Sequence, residues 1–233
     1  KGEENTSVTL TVRRDGHELA FTVTRGSGQR QMTEYRMLSG GVLYIKIHSF
    51  HGNAAEYFKQ AIKYGKTQNF TAVLIDLREN LGGDVTVFDE IADVMLPEGE
   101  TFYAMARNGK KILTCESDAA CVDKPVAVLI NGSSASASEA LAGTLRDMGG
   151  AVLVGTKSYG KGIMQTSYPL ANGGVFKLTT AYYYLPGGDC IHGQGLTPAY
   201  TVELPEELTS AYWLRNEEND LQMQKAIEVL TKN

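Results

Sequence analysis

The sequence of 233 residues has no block of basic residues and no long apolar run. Its 22 lysines and arginines are outnumbered by 27 aspartates and glutamates, and the net charge of −5 argues against a nucleic-acid partner. No apolar run approaches the roughly 20 residues that a helix needs to span a bilayer. The start shows no signal-peptide pattern, and charged residues directly precede a strand-like run there. We therefore expect no membrane-spanning segment in this chain, which looks like part of a longer protein.

Cysteine is also scarce, with three residues in the chain. Cys115 and Cys121 enclose five residues, which is a workable disulfide loop, and Cys190 is then left over. Three unpaired thiols are an equally good interpretation, so both stay open. The hydrophobic content of 42% is ordinary for a globular protein, and the length suits one large domain or two small ones.

Hydrophobic periodicity predicts an α/β fold. Residues 7–12 and 18–24 alternate around an Asp15-Gly16 turn, which predicts a β-hairpin, and Gly26 opens a linker-like stretch. Runs that are apolar throughout predict strands buried on both faces, and the alternation of strands with helices favours parallel pairing. The other predicted strands are residues 42–47, 72–77, 126–130, 152–154 and 175–184, and the predicted helices are residues 53–66, 85–95, 139–148 and 220–230.

Several familiar site patterns fit poorly. Residues 155–162 (GTKSYGKG) nearly form a phosphate-binding loop, but Gly162 replaces the Ser or Thr that would bind magnesium. Ser158 and Lys161 match Ser-x-x-Lys, yet the glycines beside the lysine disfavour the helical turn that this chemistry needs. There is no Gly-x-Ser-x-Gly elbow for a histidine-based triad. The histidines are His17, His48, His51 and His192; His48 and His51, three residues apart, could form a metal pair, but no third ligand candidate lies nearby in the sequence, so solvated loop residues and no metal site are expected.

Residues 131–165 carry the strongest candidate site. Ser136 lies in SASASE, directly after a buried strand and at the start of a helix-like run, where free N–H groups and the helix dipole favour an oxyanion. The alternative is an N-cap serine, a role that Ser134 or Ser138 could fill as well. Lys161, between Gly160 and Gly162, is a candidate base because burial lowers the pKa of a lysine. The alternative for Lys161 is a solvated loop lysine.

Four sequence boxes, in order and at family spacing, resemble the carboxyl-terminal processing (tail-specific) serine peptidases. The separation of Ser136 and Lys161 is 25 residues, as the family pattern requires, and the resemblance covers most of residues 36–230. The boxes are residues 76–83 (DLRENLGG), 134–139 (SASASE), 146–147 (RD) and 159–165 (YGKGIMQ). The resemblance implies an α/β fold with a crotonase/ClpP-like core of buried parallel strands and flanking helices, plus a small β subdomain. Residues 1–28 would then be the last two strands of a PDZ domain with a linker, and residues 29–233 the catalytic core.

The resemblance also implies a serine endopeptidase that cleaves proteins at or near their C-terminal tails through an acyl-enzyme. Ser136 would be the nucleophile and Lys161 the base, with Gln165 orienting the lysine. The N–H groups of Ala137 and Gly82 would form the oxyanion hole. Asp147 would either shape the site or cap local structure.

Such an enzyme would act on protein or peptide substrates, need no cofactor or metal, and work outside the bacterial cytoplasm, in the periplasm or at the cell surface. A Cys115–Cys121 disulfide would suit that location. Assembly into a homo-oligomer stays open. Two other functions also remain: a non-catalytic homologue that binds a hydrophobic ligand or a peptide, and an acyl-thioester enzyme of the crotonase type. Retention of Ser136, Lys161 and Gln165 argues against the non-catalytic homologue.

Overall fold

The computed structural model describes residues 2–26, 31–118 and 121–232. The chain divides into two compact units between Gln31 and Met32. The linker-like stretch after Gly26 and the expected domain boundary at residues 28–29 lie outside the described residues, so that boundary stays a prediction.

The smaller unit is the hairpin that the sequence predicts. Strands β1 (Ser7–Arg14) and β2 (His17–Thr24) pair antiparallel, and Arg14 lies opposite His17. The two turn residues between the strands, Asp15 and Gly16, both have positive φ, as the tight turns of hairpins require. The apolar side chains share one face and stay exposed; they include Leu10, Val12, Leu19, Phe21 and Val23.

The larger unit has a sheet of six strands and a sheet of four. In chain order its elements are β3 (Thr33–Met37), β4 (Val42–Ile47), α1 (Ala54–Thr67), β5 (Ala72–Asp76), α2 (Val85–Met95), β6 (Gly99–Ala106), β7 (Lys111–Ser117), β8 (Val126–Ile130), α3 (Ala137–Gly149), β9 (Val152–Gly155), β10 (Ile163–Pro169), β11 (Val175–Tyr184), β12 (Tyr200–Thr201), α4 (Glu206–Ser210) and α5 (Leu221–Thr231).

The six-stranded sheet confirms the predicted α/β fold with parallel strands. Its order is β12-β9-β8-β5-β4-β3, and every pair is parallel except β3 with β4 at one edge. Every residue of β5 and β8 is buried, because helices cover both faces. Alternate residues of these strands therefore enter two hydrophobic cores: one contains Ile75, Val128 and side chains of α1, α2 and α3, and the other contains Leu74, Leu129 and side chains of α5.

The four-stranded antiparallel sheet has the order β10-β11-β6-β7. Strand β11 was predicted, but β6, β7 and β10 were not, because these strands mix polar and apolar residues. All three cysteines are free thiols, and Cys115 is buried. The structure thus has no Cys115–Cys121 disulfide, and of the two open interpretations it shows the unpaired thiols.

The parallel sheet brings three loops to one edge. Strands β5, β8 and β9 run in the same direction, so the segments that follow them leave at the same edge of the sheet. These segments are residues 77–84, 131–136 and 156–162, and they contain three of the four sequence boxes in whole or in part. None of the described helices is both long and apolar enough to cross a membrane.

Candidate active site

Ser136 is the N-cap residue of α3 and has a backbone conformation that is rare for a residue with a side chain. Its φ is 60° and its ψ is −121°. Non-glycine residues in such conformations cost energy and cluster at functional sites. Among the described residues, positive φ in a non-glycine residue recurs at Asn5, Asp15, Asn69 and Glu79. Ser136 is partly buried between the buried Ala135 and Ala137, so small neighbours surround its hydroxyl.

The three serines of SASASE have different roles. Ser134 is fully buried and its Oγ donates to the Leu77 carbonyl at 2.8 Å. Ser138 is also fully buried, and its Oγ donates to the Asn80 carbonyl at 2.8 Å. Within the part of the chain that the structure describes, the Ser136 hydroxyl donates to no backbone carbonyl. Ser134 and Ser138 are therefore structural, and Ser136 is the serine available for chemistry.

Asn80 holds the glycine loop against the serine segment. Its carbonyl accepts the Ala135 N–H at 3.0 Å, and its side-chain Nδ2 donates to the Ile47 carbonyl at 2.7 Å. Its Oδ1 accepts the Gly82 N–H at 2.9 Å. Gly82 has a φ of +96°, and a Cβ placed on it would lie 2.8 Å from the Ser136 Cβ. The Gly82 backbone thus lies directly against Ser136, where only glycine fits.

The N–H groups near Ser136 differ in availability. Among the described residues, the Ala137 N–H, at the first turn of α3, donates to no protein acceptor, and neither does the Gly83 N–H. The Gly82 N–H is engaged with Asn80. An anion at this place would therefore find free donors, and it could also compete with Asn80 for the Gly82 N–H.

Glu139 connects Ser136 to Lys161. Its carboxylate is fully buried in the first turn of α3. Oε2 accepts the N–H of Ser136 at 3.0 Å and the N–H of Lys161 at 2.8 Å. Oε1 accepts the Gly160 N–H at 2.6 Å and the Ser158 hydroxyl at 2.5 Å. One carboxylate therefore holds the backbones of the predicted nucleophile and the predicted base side by side.

Tyr183 of β11 contacts the same two residues from the carbonyl side. Its hydroxyl lies 3.0 Å from the Ser136 carbonyl and is hydrogen-bonded to the Lys161 carbonyl. Burial, followed by the negative charges of Glu139 and Cys190, raises the pKa of Tyr183 well above its usual value. The hydroxyl therefore keeps its proton and remains a donor.

The Lys161 side chain is partly buried. Among the residues that the structure describes, no carboxylate lies within ion-pairing distance of its ammonium group. Lys157 of the same loop is, by contrast, exposed.

A small cavity of about 30 Å³ opens beside Ser136. Most of its wall is apolar, and Tyr183 lies at one side. The lining residues are Gly83, Val85, Phe88, Phe102, Ser136, Ala137, Ala140, Ile163, Met164 and Tyr183. Such a cavity suits a small apolar side chain.

Two other predicted site residues lie apart from these contacts. Gln165 is exposed on β10, next to an irregularity in its pairing with β11, and in the described part of the chain it has no hydrogen bond to Lys161. Asp147 is paired with the Arg146 guanidinium at 2.7 Å near the last turn of α3. Eleven residues along the helix separate it from Ser136, which is about 16 Å. The structure does not bring Asp147 to the serine, and both roles stay predictions.

The histidines contact carboxylates rather than each other. His48 Nε2 lies 2.9 Å from Glu34, and His51 Nδ1 lies 2.9 Å from Asp84. In residues 2–26, 31–118 and 121–232, no group of three or more His, Cys, Asp or Glu side chains is arranged to hold a metal.

A buried ionic network anchors the loop that follows β5. Both carboxylate oxygens of Asp76 accept N–H groups of Arg78, and Tyr44 donates to Oδ2 at 2.8 Å. Arg78 also pairs with Asp220 at 2.8 Å. Burial alone would raise the pKa of Asp76, but Arg78, Lys46 and these hydrogen bonds outweigh it and hold the pKa well below its usual range. The network fixes the start of the loop that ends at Gly82.

Glu139, Tyr183, Asn80 and Arg78 had no assigned role in the sequence analysis. Only Glu139 carried a local signal, because Ser136-x-x-Glu139 matches a capping box. The other contacts depend on chain segments that meet only in the folded sheet.

Comparison with known proteins identifies the family of the chain. Residues 41–202 match the model of peptidase family S41. A carboxy-terminal-processing protease of Bartonella bacilliformis is 35% identical over 88% of this chain and 49% of its own length. A carboxyl-terminal-processing protease of Synechocystis sp. is 34% identical over 99% of this chain and 55% of its own length. Among solved structures, a photosystem II D1 C-terminal processing protease aligns with a TM-score of 0.71 at 24% identity, covering 100% of this chain and 61% of that one.

The family match spans well over half of the chain, so the chain belongs to peptidase family S41. The resemblance seen in the sequence boxes is thereby confirmed. The chain spans about half the length of the curated relatives that it matches.

Proposed function

We propose that this chain is the catalytic part of a serine endopeptidase that cleaves proteins at or near their C-terminal tails. Membership of peptidase family S41 and the names of its relatives support a peptidase. The observation that carries the proposal is the pairing of a strained helix-capping serine with a loop lysine, because Glu139 Oε2 accepts the N–H groups of both Ser136 and Lys161.

Ser136 and Lys161 act as nucleophile and base. Neutral Lys161 Nζ takes the proton from Ser136 Oγ while Oγ forms a bond to the carbonyl carbon of the scissile peptide. As the tetrahedral intermediate collapses, the C–N bond breaks and Lys161 gives its proton to the leaving amine. Water then attacks the acyl-enzyme with the same lysine as base, which releases the acid and restores Ser136.

The oxyanion hole is formed by the Ala137 N–H together with the Gly82 N–H. The Ala137 N–H, at the positive end of α3, has no acceptor among the described residues, and Gly82 lies against Ser136. The Gly82 N–H is bonded to Asn80 Oδ1 in the structure. It must exchange that neutral acceptor for the oxyanion, which is favourable because an oxyanion is the stronger acceptor. The neighbouring Gly83 N–H is free and lies on the same turn.

The apolar cavity beside Ser136 receives the side chain that precedes the scissile bond. Its small volume and its wall of Phe88, Phe102 and Ile163 favour a small apolar residue. Charged residues would lose their hydration there without a partner.

The residues that lie apart from these contacts have the roles that the resemblance implies. Gln165 orients Lys161 through a hydrogen bond. Asp147 shapes the site indirectly or caps local structure. The hairpin β1–β2 is the last part of a PDZ domain that precedes a crotonase/ClpP-like core, with the boundary at residues 28–29. The protein works outside the cytoplasm, in the periplasm or at the surface of a bacterium.

The test is labelling with a fluorophosphonate, which reacts with activated serines. We expect one phosphonyl group per chain, located on Ser136 by peptide mapping, and a strongly reduced rate in Lys161→Ala. Labelling of another serine, or equal rates in Lys161→Ala and the wild type, would contradict the proposal. A wild-type protein that stays unlabelled would favour a binding protein.

A further inference from the structure

The backbone polar groups of Ser136 and Lys161 share two partners. Both N–H groups donate to Glu139 Oε2, at 3.0 and 2.8 Å. Both carbonyls are within hydrogen-bond distance of the Tyr183 hydroxyl. Four backbone groups, two from each residue, thus meet one buried carboxylate and one buried phenol.

We infer that Glu139 and Tyr183 form a clamp that sets the position of Lys161 relative to Ser136, so that both are positioning residues for the reaction. This inference rests on the proposed function, because it assigns the clamp to the serine–lysine pair. Neither side chain touches the reacting atoms. The clamp acts through the backbones that carry the nucleophile and the base.

Lys161 needs such a clamp because no regular secondary structure holds it. Residues 156–162 belong to no helix or strand, and the next strand, β10, begins at Ile163. The glycines on both sides of Lys161 have no side chains to hold this segment, although their carbonyls accept the Gly193 N–H at 2.9 Å and the Tyr183 N–H at 3.1 Å. Within the described residues, Glu139 and Tyr183 supply the only recorded partners of the Lys161 N–H and carbonyl. Removing either partner would let the lysine drift away from Ser136.

A carboxylate is the acceptor that four donors require. Glu139 receives N–H groups from Ser136, Gly160 and Lys161 and the Ser158 hydroxyl. A glutamine has one acceptor oxygen, and its NH₂ group would face two of these donors. The Tyr183 phenol, in contrast, acts as a hydrogen-bond donor. Its raised pKa keeps it a donor to the two carbonyls throughout the neutral and mildly alkaline range.

The test compares Tyr183→Phe and Glu139→Gln with a matched control, Tyr182→Phe. Tyr182 is the preceding residue of β11 and is 42% exposed. Phenylalanine at position 183 keeps the ring, and therefore the cavity wall, and removes only the hydroxyl. The kcat and KM for a short peptide with a small apolar residue before the cleaved bond are measured, together with the rate of fluorophosphonate labelling and the melting temperature.

We expect Tyr183→Phe to lower kcat and the labelling rate by about 10–100-fold, since misplacing a catalytic group by about 1 Å costs roughly this much. KM should change less than about twofold, since phenylalanine keeps the ring that lines the cavity, and Tyr182→Phe should match the wild type. Glu139→Gln should lose at least as much activity as Tyr183→Phe. If Glu139→Gln fails to fold, Tyr183→Phe still decides the matter.

Three results would overturn the clamp. If the wild type is active, depends on Ser136, and Tyr183→Phe keeps its kcat, the clamp alone is wrong. A rise in KM at constant kcat would likewise assign Tyr183 to substrate binding. If the wild type shows no cleavage and no labelling, the proposed function is wrong, and the inference of a clamp is then wrong as well.

Discussion

Replacing Gly82 by alanine tests how closely the glycine loop lies against the serine. A Cβ on Gly82 would lie 2.7 Å from the Ala135 carbonyl oxygen, 2.8 Å from the Ser136 Cβ and 2.9 Å from the Ala137 nitrogen. All three distances are shorter than contact distances between real atoms, and two of the three atoms belong to the backbone, so a rotamer change cannot relieve them. The glycine loop must move away from Ser136, or the serine segment must distort.

The cost has two parts that can be separated. A φ of +96° at residue 82 costs an alanine about 1–2 kcal/mol for its left-handed conformation. The overlap with the serine segment adds about 1–3 kcal/mol of strain if the loop stays in place. If the loop moves instead, the Gly82 N–H leaves the proposed oxyanion hole, and kcat should fall by about 10²–10³-fold.

Gly188→Ala provides the matched control. Gly188 has a φ of +87°, and nothing lies within 4 Å of a Cβ placed on it. This variant has the unfavourable backbone conformation but no steric overlap. We expect urea unfolding to show a loss of about 1–2 kcal/mol and an unchanged kcat for Gly188→Ala. Gly82→Ala should lose kcat, additional stability, or both. A Gly82→Ala enzyme with wild-type kcat and the same stability as Gly188→Ala would refute the placement of this loop against Ser136.

Two further predictions concern buried groups outside the site. Asp76→Asn leaves Arg78 with one of its two carboxylate partners and should lower the free energy of unfolding at pH 7 by about 3 kcal/mol. Because folding lowers the pKa of Asp76, the stability that this carboxylate contributes is complete above about pH 4 and is lost as the pH falls further. The difference in stability between wild type and variant should therefore shrink on acidification. A constant difference in urea unfolding between pH 7 and pH 3 would contradict this. Burial and the charge of Asp89 raise the pKa of Cys115 to about 12. At pH 8, N-ethylmaleimide should therefore modify Cys121 and Cys190, while Cys115 should react at least about 10³-fold more slowly. Equal labelling of all three cysteines in the folded protein, measured by mass spectrometry, would show that Cys115 is not in this environment.

The sequence predicted those elements whose buried residues form a recognisable pattern within a short segment of the chain. Strands β5 and β8 are apolar over nearly their whole length, and helix α2 begins and ends at the predicted residues, Val85 and Met95. Strands β6 and β7 were missed because only part of each faces a core, as the mixed burial of Lys111–Ser117 shows. Strand β6 pairs with β11, which joins segments far apart in the chain, and no local sequence pattern indicates that pairing.

The candidate site likewise has parts that the sequence predicted and parts that it did not. Ser136 and Lys161 could be proposed because their neighbours carry a local signature of small residues and glycines. The capping-box spacing of Ser136 and Glu139 was also visible, but the bonds from Glu139 to Gly160 and Lys161 were not. These bonds exist only because β8 and β9 are adjacent and parallel, so that the loops after them meet. Tyr183 reaches the site through the register of β11, which the sequence does not specify.

The most direct test of the serine–lysine mechanism is cleavage of an unfolded protein such as casein, with the new termini identified by mass spectrometry. The wild type is compared with Ser136→Ala, Lys161→Ala and, as a control, Lys157→Ala, whose lysine is exposed in the same loop. We predict that the wild type and Lys157→Ala cleave at the same bonds, after small apolar residues, and that Ser136→Ala and Lys161→Ala cleave none of them. Cleavage at the same bonds by Ser136→Ala or Lys161→Ala would contradict the mechanism.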